Sequence, residues 1–204
     1  MRHGETLGNA SRTVQLPDNP LSPRGVAQAE RLARRLEREG IGAIVASDFA
    51  RAAQTAEHLA RVTGLPVHHD PLLQERNFGD LRGTPYARLA FDMFAPDYAP
   101  PNGETWEVFH ARVDRAWALV QTRAAATGGH LAVVTHGLVC RSLAARHLSL
   151  PDGVAVPERW ENTAVTIIEL PRDGQAGWRV TRLNCIAHLD DEPAARSGTG
   201  AGAV

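Results

Sequence analysis

Two histidines stand close to strand-like segments of the chain. Arg2 and His3 open the chain in the run RHGET, and His136 follows the apolar run 131–134. A neutral imidazole can act as a nucleophile, and a guanidinium grips phosphate oxygens in a fixed fork. Two histidines, with an arginine beside one of them, therefore predict a phosphate site.

Helical and strand-like segments alternate along the chain. Ser22 and Pro23 offer an N-cap and a first helical position, and apolar residues then repeat at helical spacing until Gly40. Further helices are predicted over 48–63, 104–126 and 137–148, and strands over 41–46, 65–69, 130–135, 164–170 and 178–183. This alternation predicts an α/β fold, a three-layer α/β/α sandwich with a mostly parallel central sheet.

The predicted sheet explains how distant residues could meet. Ligands of such sheets bind beyond the carboxyl ends of the strands. Arg51 and His136 fall at that edge, and Arg2 and His3 join them if a strand precedes them. Arginines and histidines that converge there favour a phosphoryl group, whose equatorial oxygens they can neutralise.

The regular alternation stops over residues 71–103. Glycines and prolines are mixed there with aromatic residues, which predicts loops and short helices rather than a further sheet element. We interpret the segment as a small cap over the site, inserted in a single domain of residues 1–189. Residues 190–204 have too little apolar surface to order, so we expect a disordered tail.

Composition excludes several classes of function. The chain has 22 basic and 23 acidic residues and no lysine, so neither P-loop nor Schiff-base chemistry is available. The near-zero net charge argues against nucleic acid as a partner. Cys140 and Cys185 lie in apolar surroundings without metal-binding spacing, and no run approaches the ~20 apolar residues of a membrane helix. We expect a cytoplasmic protein without a membrane partner.

At these residues the chain resembles the histidine phosphatase superfamily, in its phosphoglycerate-mutase-like branch. The RHGET run with Asn9 is similar to the signature of that family, and six further blocks follow in order. They are Asp18 to Ala29, Ser47 to Thr55, Leu73 to Gly83, Asn102 to Thr105, Val134 to Gly137 and Asn162 to Ala164. The resemblance covers nearly the whole chain.

The resemblance implies roles for the matching residues. Neutral His3 would attack phosphorus and form a phosphohistidine. Arg2, Arg51 and a protonated His136 would neutralise the phosphoryl oxygens. Glu75 would protonate the leaving oxygen and then deprotonate the attacking water, which requires a raised pKa.

Three further residues are expected to bind substrate by resemblance. They are Asn9, Arg76 and the amide of Gly137. Glu5, Asp48 and Asp80 are alternatives to Glu75 for the acid, because they could also lie near the site. The resemblance implies neither a metal nor another cofactor.

The same kind of pocket serves phosphatases and cofactor-dependent phosphoglycerate mutases. Phe78 stands where mutases usually place a tyrosine, and the stretch from Glu75 to His136 is short and lacks lysine. We therefore favour hydrolysis of a small phosphoester over mutase activity. A non-catalytic binder of phosphorylated ligands is a third alternative. The resemblance also implies a homodimer, whereas the choice of substrate would depend on residues 76–103.

The resemblance further implies a short apolar strand before Arg2. Only Met1 precedes Arg2 in this sequence. We therefore expect the true start of the protein to lie upstream of Met1.

Overall fold

The fold is built on a parallel sheet that the apolar runs of the sequence form. The computed structural model describes residues 1–169 and 178–190. Strand β1 (Ile41–Ala46) lies between β2 (Val67–His69) and β3 (His130–Val134), and both neighbours run parallel to it. Ile44 is in register with Val67 on one side and with Ala132 on the other.

Three further strands form a second sheet in the order β4, β6, β5. They are β4 (Leu148–Ser149), β5 (Val165–Glu169) and β6 (Trp178–Cys185). Strand β4 is parallel to β6, whereas β5 is antiparallel to it. The antiparallel pair is a local exception to the mostly parallel order.

The first three residues connect the two sheets. Arg2 forms a parallel bridge with Thr135, and the His3 amide donates to the Thr135 carbonyl at 2.9 Å. On the other side, the Arg2 amide donates to the Ala164 carbonyl at 3.3 Å. This short stretch therefore takes the place of a strand and sets His3 at the end of β3.

Five α-helices accompany the strands in the part of the chain that the structure describes. They are α1 (Leu7–Ala10), α2 (Pro23–Leu36), α3 (Ala50–Thr63), α4 (Trp106–Ala126) and α5 (Gly137–His147). The Ser22 hydroxyl accepts from the Gly25 amide at the start of α2, as Thr105 accepts from Val108 at the start of α4. Gly64 ends α3 with a positive φ of 72°.

Alternation along β1 and β3 divides the core into two layers. Ile44, Ala46, Ala132 and Val134 pack against α2 and α3. Their neighbours Val45, Leu131 and Val133 belong to the clusters formed with α4. Because successive strand residues point to opposite faces, the predicted α/β/α sandwich is confirmed.

The predicted cap has the expected character. Residues 71–103 contain three short 3₁₀ helices and none of the β-strands. The helices are Pro71–Leu73, Gly79–Leu81 and Tyr86–Arg88. Phe78 and Met93 from this segment share a buried cluster with Phe109 of α4 and Leu138 of α5. The cap is therefore packed on the second helical layer.

Several boundaries differ from the sequence prediction. Helix α1 and the two-residue strand β4 were not predicted, and the strand expected from residue 65 begins at Val67. The end of the strand predicted to Leu170 and the expected tail, apart from Asp190, lie outside the described residues. In the part of the chain that the structure describes, no helix is long and apolar enough to span a membrane.

A largely apolar cavity of about 440 Å³ separates β3 from β5. Leu131 and Val133 line one side and Val165 and Ile167 the other, and Met1 also lines the cavity. The Met1 amino group donates to the Val133 carbonyl at 2.8 Å. The space thus lies where residues 1–3, extended backwards, would continue between the two strands.

Candidate active site

The fold brings four of the predicted residues to one edge of the sheet. His3 follows the bridge to β3, His136 caps α5 directly after β3, and Arg51 lies in the first turn of α3 after β1. The rings of His3 and His136 have centroids 5.1 Å apart, and Arg2 lines the same cavity as His3 and Arg51. The structure therefore brings Arg2, His3, Arg51 and His136 together at one edge of the sheet.

Hydrogen bonds select one tautomer of His3. Nδ1 lies 2.7 Å from the Gly4 carbonyl, to which only a protonated nitrogen can donate. Nε2 lies 3.2 Å from Nε of Arg51, which is a donor, so Nε2 must carry the lone pair. Burial, then the charges of Arg51 and Arg2, lower the pKa of His3 well below its usual value. His3 is thus a neutral imidazole with the lone pair of Nε2 toward Arg51.

Two buried guanidiniums stand beside this imidazole. Besides contacting His3, Arg51 donates through Nη1 to the Leu16 carbonyl at 3.0 Å, and burial lowers its pKa to about 10. Arg2 donates to the Trp160 carbonyl, while its Nε has no partner among the described residues. Both remain cations at neutral pH and can neutralise a phosphoryl dianion.

His136 is fully buried beside His3. Its Nε2 lies 2.9 Å from the Ser47 hydroxyl, and its Nδ1 has no partner in the described part of the chain. Burial, followed by Arg51, His3 and Arg2, lowers the pKa of His136 well below its usual value. Without a bound anion, burial and nearby cations therefore favour the neutral form of His136. Its protonation beside a bound phosphoryl group stays a prediction.

Glu75 is the carboxyl group that the structure places in the cavity. Its Oε1 accepts from the Arg76 amide at 3.1 Å and its Oε2 from the Leu138 amide at 3.3 Å. Burial raises the pKa of Glu75, although Arg51 and the two amide bonds act in the opposite direction. A carboxyl group with a raised pKa is suited to donate a proton.

The rival acids are engaged elsewhere. Glu5 accepts from Ser22 and from Arg24, each at 2.9 Å. Asp48 accepts from Gln74 at 2.8 Å, and Asp80 accepts from Asn102 at 3.0 Å. Of the carboxylates that the structure describes, Glu75 alone lines the cavity.

The three expected substrate-binding residues have different surroundings. Asn9 lines the cavity, and its Oδ1 accepts from the Thr6 amide at 3.2 Å, which leaves its amide nitrogen as the group that can donate to a phosphoryl oxygen. Gly137 begins α5 next to His136.

Arg76 is used mainly to hold the cap. Its guanidinium donates to the carbonyls of Glu104 at 3.0 Å and Tyr98 at 2.7 Å, and lies 3.9 Å from the ring centroid of Trp106. Its side chain is almost fully buried, although it borders the cavity. The structure therefore gives Arg76 a structural role, and substrate binding by its guanidinium has no support in these contacts.

Other residues of the site were not assigned from the sequence. Asn162 donates to the His3 carbonyl at 3.0 Å, and Thr55 accepts from the Gly4 amide at 3.0 Å. Both lie in the sequence blocks that resemble the family, and this resemblance could have indicated that they belong to the site. Arg82, Tyr86 and Phe94 of the cap line the cavity, but nothing in their spacing indicated this.

The cavity holds groups for phosphoryl transfer but no cluster of metal ligands. Its volume of about 40 Å³ matches a few water molecules or one phosphoryl group. Within residues 1–169 and 178–190, no three His, Cys, Asp or Glu side chains form a group that could hold a metal ion.

Comparison with known families identifies this arrangement. Residues 1–186 match the family model of the histidine phosphatase superfamily (branch 1). The chain belongs to the histidine phosphatase superfamily. The match confirms the resemblance found in the sequence.

Relatives within the superfamily carry two kinds of name. A curated relative from Yersinia pestis (strain Pestoides F), named "Probable phosphoglycerate mutase GpmB", is 30% identical over 211 residues, 93% of each chain. The solved mycobacterial glucosyl-3-phosphoglycerate phosphatase in complex with VO3 is 30% identical with a TM-score of 0.74, over 90% of this chain and 96% of that chain. The solved phosphoglycerate mutase of Bacillus anthracis str. Sterne is 26% identical with a TM-score of 0.77, over 92% of each. The chain is thus similar both to phosphatases and to mutases.

Proposed function

We propose that the protein is a metal-independent phosphatase that hydrolyses a small phosphomonoester through a phosphohistidine on His3. The observation that carries this proposal is the state of His3, whose Nδ1 faces the Gly4 carbonyl and whose Nε2 accepts from Arg51. A buried imidazole held in this tautomer, between two guanidiniums, is an activated nucleophile.

The first step transfers the phosphoryl group to the protein. The lone pair on Nε2 of His3 attacks phosphorus while the bond to the leaving oxygen breaks. Arg51 transfers its hydrogen bond from Nε2 to a phosphoryl oxygen, and Arg2 neutralises further charge. Glu75 supplies a proton to the leaving oxygen, so that an alcohol departs rather than an alkoxide.

The second step releases phosphate. Glu75, now a carboxylate, takes a proton from a water molecule, whose oxygen attacks phosphorus. The bond between phosphorus and Nε2 breaks, and His3 returns to its neutral form. His136 and the amides of Asn9 and Gly137 can hydrogen-bond the phosphoryl group in both steps.

A test of this function begins with 4-nitrophenyl phosphate in the presence of EDTA. We expect phosphate release that persists in EDTA, is inhibited by vanadate, and falls at least about 10³-fold in His3→Ala. His69→Ala is the matched control, because His69 is an exposed histidine on β2. Rapid quenching with labelled substrate should trap an acid-labile, alkali-stable phosphoprotein. Full activity of a folded His3→Ala protein would contradict the mechanism.

Mutase activity is the second candidate. It is favoured by the names of the Yersinia relative and of the solved Bacillus anthracis protein. Incubation with 3-phosphoglycerate and a bisphosphate primer distinguishes the two, since a mutase forms 2-phosphoglycerate and releases little phosphate. Saturable phosphate binding without turnover of any ester would instead favour a binder.

The ligand we propose is a small phosphoester, and neither nucleic acid nor a membrane is a proposed partner. The homodimer stays a prediction, for which sedimentation equilibrium is the direct measurement.

A further inference from the structure

Arg82 is an arginine of the cap that faces the catalytic cavity. It follows the 3₁₀ helix Gly79–Leu81, and its half-buried side chain lines the same cavity as His3 and Arg51. The charge of Arg82 is near enough to Arg51 to contribute, after burial and Arg2, to the lowered pKa of Arg51. Arg82 is therefore part of the electrostatic environment of the phosphoryl site.

The guanidinium of Arg82 has no partner among the residues that the structure describes. Its backbone amide donates to the Gly79 carbonyl at 3.2 Å, but its side chain takes part in no hydrogen bond or ion pair there. Other arginines are paired, as Arg112 is with Glu104 at 2.7 Å and Arg146 with Asp114 at 2.6 Å. An unpaired cation that borders a cavity is available to a ligand.

The charges of the cavity are not balanced by a phosphoryl group alone. A phosphoryl dianion matches the two charges of Arg2 and Arg51. Glu75 adds no negative charge when it carries the proton for the leaving oxygen. Arg76 also lines the cavity, but its guanidinium is held by carbonyls of Glu104 and Tyr98. Arg82 then remains as a further positive charge, and a second anion would relieve its repulsion with Arg51.

Aromatic residues lie beside this charge. Tyr86 and Phe94 also line the cavity, with their rings in an edge-to-face contact 6.2 Å between centroids. Together with Arg82, they form an entrance that has both apolar surface and a cation. This combination fits a leaving group with an acidic substituent better than a plain sugar or a neutral alcohol.

We propose that Arg82 binds a second anionic group, a carboxylate or a phosphate, on the leaving group of the substrate. The substrate class is then a phosphomonoester whose alcohol is itself an acid. This inference rests on the proposed function, because it places the leaving group beyond the phosphoryl site.

Matched esters test the proposal. 3-Phosphoglycerate and glycerol 3-phosphate differ by a carboxylate, and fructose 1,6-bisphosphate and fructose 6-phosphate differ by a phosphate. We expect wild-type kcat/KM to favour the anionic member of one pair by at least about tenfold, the size of one charge-assisted hydrogen bond. Arg82→Gln should abolish that preference. The pair in which the preference is seen shows whether the second anionic group is a carboxylate or a phosphate.

Arg88→Gln provides the matched control, since Arg88 is an exposed arginine one short helix further along the cap and does not line the cavity. This variant should keep the preference. The proposal would be overturned if Arg82→Gln lowered kcat/KM equally for both esters of each pair, or if the wild type showed no preference.

Binding separates this inference from the proposed function. In His3→Ala, calorimetric titration should give about a tenfold or greater affinity difference within the responsive pair, and Arg82→Gln should remove the difference. If no ester is turned over by the wild type, the phosphatase proposal fails, while this titration still decides the anion subsite. An affinity difference that survives Arg82→Gln counts against the subsite.

Discussion

At the scale of single residues, burial shifts the pKa values of His3 and Glu75 in opposite directions. Removing a group from water disfavours its charged form, which lowers the pKa of His3 and raises the pKa of Glu75. Burial thus favours a free lone pair on His3 and a proton on Glu75. These are the forms that the first chemical step requires, so one cavity activates both groups.

Glu75→Gln tests this assignment through leaving groups and pH. The amide cannot donate a proton, so kcat/KM for an alkyl phosphate should fall about 10²- to 10⁴-fold, and much less for 4-nitrophenyl phosphate, whose leaving group needs no proton. In the wild type, kcat/KM for the alkyl ester should decline as pH rises through the raised pKa of Glu75. That decline should be absent in the variant.

Exposed Glu107 on α4 supplies the control, as Glu107→Gln should retain both the rate and the pH profile. Equal losses on alkyl and aryl esters in Glu75→Gln would show that Glu75 is not the proton donor.

The sequence identified the buried residues that meet at the sheet edge better than it identified their hydrogen-bond partners. Arg2, His3, Arg51 and His136 each lie in a run beside a strand or at the start of a helix, so the sheet edge alone brought them together. The location of Arg76 could not be predicted in this way, because its guanidinium contacts carbonyls of Tyr98 and Glu104, whose positions depend on how the cap folds.

At the scale of elements, the cap depends on close contacts between its own loops. Glu104 follows the cap directly and links it to α4. Its carboxylate accepts from Arg112 of α4 at 2.7 Å and from the Asn77 amide of the cap at 2.8 Å. Gly79 has a φ of 52° and lies against the backbone of residues 101–103. Sequence periodicity cannot predict such contacts, which is why the cap was expected only as loops and short helices, without internal geometry.

Gly79→Ala should displace the part of the cap that holds Arg82. An added Cβ would lie 1.9 Å from the Pro101 carbonyl oxygen, so the backbone must move. Together with the positive φ, we expect a loss of about 3 kcal/mol in the free energy of unfolding, and a Tm lower by ~6–12 °C. KM should rise more than kcat falls, because the displaced segment contacts the leaving group rather than His3.

Gly128→Ala is the control, since no atom lies within 4 Å of an added Cβ there. Calorimetric melting and steady-state kinetics measure both effects. A Tm of Gly79→Ala equal to that of the control would show that residues 101–103 accommodate a Cβ at position 79 without loss of stability.

At the scale of the whole molecule, the two sheets are joined only weakly beside the active site. Residues 1–3 hydrogen-bond to Thr135 on one side and to Ala164 on the other, and below them lies the cavity of about 440 Å³. Its walls are the apolar faces of β3 and β5, together with Trp117 and Trp178. Apolar surface that borders a cavity contributes less packing energy, so the bridge that positions His3 lies beside a region with unfilled space.

Filling this cavity should therefore stabilise the protein without changing its chemistry. Fusing five apolar residues, such as Val and Leu, directly before Met1 would continue the line of residues 1–3 between β3 and β5. Burying both faces of such a strand, less the cost of ordering it, should add about 3 kcal/mol to the free energy of unfolding and raise Tm by ~6–12 °C. A fusion of five Ser, Gly and Asp residues is the matched control and should leave Tm unchanged, because polar side chains are not stabilised there. Since the extension leaves Arg2 and His3 in place, kcat should not decrease.

Equal Tm values for the two fusions would mean that the space between β3 and β5 does not accept a strand.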